Sequence, residues 1–275
     1  MIHDCDLCGS SDAIEVPHAR EYTGGQPIHI CCGCGFVYVR ARRTAQEIAA
    51  SWSGLYDGAY QSRSPAVIAR LTYVAETIRQ QIGIEGKSLC DIGAGDGTFL
   101  DIAHSMGAWP SFGIEPSAAN RRLLERGIPH FPGAIEDVSS TIGPFDIVTI
   151  NWTLENCSSC IAMLRAARRI LKPDGHLVVA TGSRILVPFK KPLSSYLNHD
   201  IAADMHCFRW SFSSLTRAFM KAGLQSAGAN DALQCDWMVM SAQDKPMPED
   251  VREEHFYDPP SAVLQHFADW ARMWP

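Results

Sequence analysis

The run Leu89-Cys90-Asp91-Ile92-Gly93-Ala94-Gly95-Asp96-Gly97-Thr98-Phe99-Leu100 constrains this chain more than any other stretch. A short apolar segment, a turn with three glycines and an amphipathic segment follow one another without a spacer. A buried strand therefore has to pass through a tight turn directly into a helix. Glycine in such a turn tolerates positive φ and lets a ligand come close to the backbone. From Lys87 onward, short apolar runs keep alternating with longer helix-like segments, the pattern of βα units over a mostly parallel sheet. Strands are expected near 88–91, 111–115, 145–151, 176–181 and 235–242, and helices near 98–106, 117–126, 159–171 and 213–222. Pro173 and Gly175 should stop the third of these helices and turn the chain. The fold class that follows is α/β, a Rossmann-like sheet with helices on both faces.

A small unit precedes that sheet. Five of the ten cysteines fall in the first 34 residues, four of them as Cys5-x-x-Cys8-Gly9 and Cys31-x-x-Cys34-Gly35. Two tight turns then offer four soft thiolates, and the glycine after each pair lets backbone N–H groups approach the sulfurs. A tetrahedral Zn2+ suits such a set. Four protein ligands leave no open position, so the zinc should be structural and should supply folding free energy to a segment too short for its own core. Cys32 reads as a bystander, and Cys157 and Cys160, which face no second pair, as buried or capping thiols. The organisation expected is a zinc-ribbon-like domain over 1–45, closed by a basic patch of Arg40, Arg42 and Arg43, then a helical connector over 46–86 broken around 62–65. The main domain runs over 87–245 with a weakly periodic insertion at 183–210, and a helical extension covers 246–275. Clustered thiols, no long apolar run and no leader pattern lead to the expectation of a cytoplasmic protein with no membrane partner.

Glu115 lies 22 residues after Gly93, at the end of the next expected strand, where a carboxylate can accept both hydroxyls of a ribose. A dinucleotide would be the first ligand to consider, but its fingerprint needs glycine or alanine where this chain has Thr98. Asp96 adds a second objection: a carboxylate beside a pyrophosphate meets like charge, at a cost of about 1–4 kcal/mol at a separation of roughly 4 Å. S-adenosylmethionine has no phosphate and carries an ammonium and a sulfonium, so acidic neighbours favour it.

With those residues in view, the chain resembles the class I methyltransferases from about Ser88 to Leu224. The resemblance implies that Gly93, Ala94, Gly95 and Gly97 cradle the methionine part of the cofactor and that Asp91 orders its amino group. It implies that Glu115, with Pro116 beside it, binds the ribose. Gly133-Ala134-Ile135-Glu136-Asp137 is similar to the family's adenine-binding turn, which gives Ile135 a backbone N–H and apolar contact and makes Glu136 the candidate polar partner. Asn151 and Trp152 fall in the motif that faces the methyl group, where Asn156 stands at a position often occupied by histidine.

The whole layout is similar to methyltransferases of nucleotide-sugar and surface-polysaccharide biosynthesis. The residues that carry this are the cysteine unit, Leu55-Tyr56-x-x-x-Tyr60, and His206-Cys207-Phe208-Arg209-Trp210-Ser211. It implies a small-molecule acceptor, a sugar or nucleotide sugar, methylated on oxygen or carbon, although Ala203 stands where that group has a tyrosine. His206 is the first candidate base, since an imidazole titrates near neutrality. Tyr60 and Glu155 are further catalytic candidates, with His199 and Asp200 behind them. Arg184, Lys190, Lys191 and Arg209 could meet a substrate phosphate, and a solvated basic face is the plainer account. A net charge of -6 disfavours nucleic acid as a partner. RNA modification and a noncatalytic module with a vestigial pocket are the alternatives, and the oligomeric state is not legible in the sequence.

Overall fold

A computed structural model describes residues 2–57, 62–139, 141–182, 206–230 and 237–273. In chain order its elements are β1 (Ala13–Glu15), α1 (Ala19–Tyr22), β2 (His29–Cys31), β3 (Val37–Tyr38), α2 (Ala45–Asp57), α3 (Pro65–Gln81), β4 (Leu89–Ile92), α4 (Thr98–Ser105), β5 (Ser111–Ile114), α5 (Asn120–Glu125) and β6 (His130–Phe131). There follow β7 (Phe145–Asn151), α6 (Cys160–Arg169), β8 (Leu171–Gly182), β9 (Phe208–Arg209), α7 (Phe212–Ala222), β10 (Gln225–Ala229), β11 (Trp237–Gln243) and α8 (Pro260–Met273). Among the described residues no helix is long and apolar enough to cross a membrane.

Apolar residues on both faces of the central strands dictate a sheet covered on both sides. Cys90, Ile92, Val148, Ile150, Leu177 and Val179 share a core with Leu164 of α6 and Phe219 of α7. Their neighbours Leu89, Ile147, Val178 and Ala180 pack with Val74 and Ile78 of α3 and Leu100 of α4. The seven strands run in the order β10-β11-β8-β7-β4-β5-β6. β4, β5, β6, β7 and β8 pair in parallel, and β11 is antiparallel to both β8 and β10. The expected Rossmann-like α/β architecture is thus the observed one. The chain leaves β4 toward β5 on one side and returns as β7 on the other, and this switch opens a crevice at the carboxyl ends of β4 and β7.

The sequence expectation departs from the structure in a few places. Residues 172–175 do not turn the chain. They belong to β8, whose register against β7 shifts between Phe145 and Ile147, paired with Leu171 and His176. Lys172 Nζ there meets Asp146 Oδ2 at 2.7 Å. Gly175 is required because a Cβ would lie 2.9 Å from the Phe145 carbonyl oxygen. β1, β6, β9 and β10 were not expected; β6 and β9 are two residues long, too short to show a period.

The N-terminal segment builds a second sheet, β1-β2-β3-β9, whose fourth strand comes from beyond residue 205. Val37 pairs with Arg209 and Tyr38 with Phe208. One face of this sheet presents Phe36, Tyr38, Phe208 and Trp210, all fully buried in the main core, with Phe36 and Tyr38 stacked at 5.9 Å between ring centroids. The other face, with Val16, Ile28, Ile30 and Val37, is covered by Val263 and Phe267 of α8. A segment too short for a core of its own is therefore sandwiched between two cores it borrows. Arg42 closes the junction and is no surface patch: it is 5% exposed. Its guanidinium forms a fork on Asp6, at 3.0 and 2.6 Å, donates to the Ser158 carbonyl at 2.9 Å and lies over the Phe208 ring.

Candidate functional site

A cavity of about 270 Å3 opens at the switch point, between the ends of β4, β5 and β7 and the inner side of α2. Of the sequence-derived ligand-binding residues, Asp91, Gly93, Ala94, Glu115, Pro116, Ile135, Glu136, Asn151 and Trp152 line it, and so does His206. Gly95 and Gly97 shape it from behind, and Glu155 is likewise absent from its wall. Tyr60, Arg184, Lys190, Lys191, His199, Asp200 and Ala203 lie outside the described residues.

The loop from β4 to α4 owes its form to glycine at three positions, with φ values of 77° at Gly93, 56° at Gly95 and 82° at Gly97. At the first two a side chain would also collide with a cavity wall. A Cβ on Gly93 would fall 2.2 Å from Thr153 Oγ1, and one on Gly95 would fall 2.1 Å from the Tyr56 hydroxyl. α2 thus passes directly over the loop, and it is held there by the Ala118 amide donating to Ser53 Oγ and Arg122 donating to the Tyr56 carbonyl. The buried Glu115 carboxylate accepts from the Gly95 amide and the Ser117 amide, both at 2.8 Å. One acid therefore locks the glycine turn to the end of β5 and keeps lone pairs for a ligand diol.

Asp96 accepts from the Thr98 amide and hydroxyl through one oxygen and from Ser62 Oγ through the other. Burial alone would raise its pKa, but the hydrogen bonds from Thr98 and Ser62 and the charge of Arg63 outweigh it and hold the carboxyl below its usual range. The Thr98 amide at the start of α4 is therefore already satisfied by a carboxylate, and a ligand phosphate at that helix start would meet negative charge. Asp91 is almost wholly buried and accepts from Thr149 Oγ1 at 2.7 Å and Asn151 Nδ2 at 3.0 Å. Burial prevails over these bonds and pushes its pKa up to about 7. A cationic partner would return it to the charged form.

Across the cavity, Trp152 adopts φ 48° just after β7, a conformation unfavourable for a bulky side chain. Arg70 of α3 lies over its ring, 4.0 Å from the centroid, and also lines the cavity. Sequence reasoning missed Arg70. The available signal was a cation among Val67, Leu71 and Val74 on the apolar side of an otherwise amphipathic helix. His206 is held by its backbone: its carbonyl accepts from Gln26 Nε2 at 3.1 Å and from Arg209. The next amide, that of Cys207, donates to the Glu155 carbonyl at 2.6 Å. Burial raises the Glu155 pKa, with the charge of His206 working against it.

The N-terminal cysteines form a second site. The sulfurs of Cys5, Cys8, Cys31 and Cys34 all lie within 4.8 Å of one another. The Cys5–Cys34 separation is 3.7 Å and the Cys8–Cys31 separation 3.4 Å. Metal–sulfur bonds of about 2.3 Å at tetrahedral angles would set sulfurs about 3.8 Å apart, so the donor set fits a tetrahedral ion. The Gly9 and Gly35 amides donate back to the Cys5 and Cys31 carbonyls, closing each turn. Hydrogen bonds from Cys31 and Cys5, and in smaller part from Arg217, hold the Cys34 thiol well below its usual range despite its burial. Cys157, which lines the cavity, and Cys160 and Cys207 are buried, and burial raises each thiol's pKa.

Comparison with known proteins places these features in context. The model of a family described as a methyltransferase domain matches residues 61–227. The ubiquinone biosynthesis O-methyltransferase of Vibrio campbellii is 29% identical over 146 residues, which cover 50% of this chain and 60% of that protein. The tRNA U34 carboxymethyltransferase of Pseudomonas aeruginosa is 28% identical over 201 residues, 67% of this chain and 58% of that protein. The matches thus span about three-fifths of the curated relatives' length. Among solved structures, a Burkholderia thailandensis 1,6-didemethyltoxoflavin-N1-methyltransferase with bound S-adenosylhomocysteine superposes with a TM-score of 0.56 at 14% identity. That match covers 78% of this chain and 94% of that one, a likeness of fold.

Proposed function

The chain belongs to the methyltransferase-domain family; from that premise we propose that it is an S-adenosylmethionine-dependent methyltransferase that methylates a hydroxyl, or an activated carbon, of a small polar acceptor, a sugar or nucleotide sugar. The observation that carries this reading is one cavity whose wall holds Asp91, Glu115 and His206 together. Bound S-adenosylmethionine supplies an electrophilic methyl group on a sulfonium. Asp91, ordered by Thr149 and Asn151, meets the amino group of its methionine part, and Arg70 meets the carboxylate. Glu115 accepts from the ribose hydroxyls, Ile135 packs on the adenine, and Glu136 stands by its polar edge. Transfer is an in-line displacement, so alignment of the acceptor accounts for most of the gain. His206 takes the proton that the acceptor hydroxyl must lose. Cys5, Cys8, Cys31 and Cys34 hold a structural Zn2+.

Two outcomes test the site. His206→Ala should lower turnover by about 100-fold or more while leaving the dissociation constant for S-adenosylhomocysteine within about twofold; an unaltered turnover number removes His206 as the base. For Asp91 the sign follows from its raised pKa. The free carboxyl is protonated below about 7, and the ligand ammonium needs the anion. Affinity for S-adenosylhomocysteine should therefore rise with pH through neutrality, by up to about tenfold per pH unit on the acid side, and level off above. A flat calorimetric profile would take Asp91 off the amino group.

RNA is the second reading, supported by the Pseudomonas relative and opposed by the net charge of -6. A labelled-methyl transfer screen over nucleotide sugars, free glycans and tRNA, with mass spectrometry of the product, decides between them. Label on tRNA alone overturns the sugar assignment.

A further inference from the structure

Arg217 is a fully buried cation, with its side chain 1% exposed, and the methylation chemistry makes no use of it. It projects from α7, an element of the main domain, toward the cysteine turns. Its Nη2 donates to the Leu7 carbonyl at 3.1 Å, inside the first turn. Its guanidinium lies 4.0 Å from the centroid of the Tyr257 ring. A guanidinium in that position needs a counter-charge, because an unmatched buried ion is costly. Among the described residues the carboxylate paired with it is that of Glu253, at 3.9 Å and about one-third exposed, and Lys221 lies closer to that carboxylate at 3.2 Å. A divalent ion held by four thiolates leaves its cluster with about two net negative charges, at the turns whose Leu7 carbonyl Arg217 contacts.

We propose that Arg217 is the counter-cation of the metal–tetrathiolate cluster, so that the main domain itself sets the metal affinity of the N-terminal turns. The proposal rests on the reading of the four cysteines as a metal site. It makes the zinc unit an integrated part of the enzyme: the helix that carries Arg217 begins directly after the segment that bears His206 and pairs with β3.

The test uses the full-length, zinc-loaded protein titrated with a chromophoric zinc chelator. R217Q can still donate to Leu7 but carries no charge, and it should bind zinc about 10- to 100-fold more weakly. R217K keeps the charge and should stay within a few-fold of wild type. S-adenosylhomocysteine titration reports whether each variant is folded. E253Q supplies an independent arm that leaves Arg217 in place. With the cluster as counter-charge, E253Q should lower Tm more in the metal-free than in the zinc-loaded protein. Equal zinc affinity in wild type, R217K and R217Q, or an equal Tm drop from E253Q in both forms, overturns the assignment. A wild-type protein that takes up no zinc overturns the metal site itself, and this proposal with it.

Discussion

Exchanging Cys31 for serine should cost the protein its metal, much of its thermal stability and its turnover together. Structural zinc contributes about 10–16 kcal/mol of apparent free energy in small peptides, comparable with the whole stability of a typical domain. Here the two borrowed cores soften the loss, so a fall in Tm of about 10–20 °C is expected. Turnover should fall further than stability requires, because β3 pairs with β9, two residues beyond His206, and Gln26 holds the His206 carbonyl. Loss of the N-terminal sheet releases both tethers. Cofactor affinity should change little, since the glycine turn, Glu115 and Asp91 belong to the other sheet. Metal analysis, a thermal melt and an S-adenosylhomocysteine titration on one preparation check all three parts. A metal-free variant that melts like wild type would mean that the cysteine turns need no ion.

Glu115→Ala should weaken S-adenosylhomocysteine binding by about 100-fold or more. Hydrogen bonds to a charged acceptor contribute about 1.5–3 kcal/mol each, and two ribose hydroxyls would lose theirs. The effect is not confined to the ligand. The same carboxylate satisfies the Gly95 and Ser117 amides, so alanine also leaves two buried donors unpaired at about 1–3 kcal/mol apiece, and Tm should fall. Glu115→Gln separates the contributions, since it keeps one acceptor oxygen but not the charge. Calorimetry on both variants measures the loss, and an unchanged dissociation constant for Glu115→Ala takes the ribose away from this residue.

The part of the cavity wall proposed to bind the cofactor was legible because its information is local. A strand, a glycine turn and a helix follow within twelve residues, and the acid comes at the end of the next strand. The part proposed to act on the acceptor was less so. His206 lines the cavity, whereas Glu155 is absent from its wall, and Tyr60 lies outside the described residues. Arg70 lines the cavity from a helix whose apolar period revealed only that it packs. Which residue of such a helix meets a ligand depends on the angle at which it crosses the sheet, and no periodicity records that.

Local stereochemistry let the sequence by itself determine the βα order, the glycine turn with its acid, and four cysteines in two matched turns. Each of these rests on backbone sterics or ligand spacing within a few residues. Only the tertiary structure decided that a two-residue strand from beyond residue 205 completes the N-terminal sheet, that α8 covers its far face, and that Arg42 and Arg217 are buried across the junction. Those contacts join residues far apart in the chain. They come from the need to bury apolar faces and to match buried charges, and both needs are met only once the distant segments have come together.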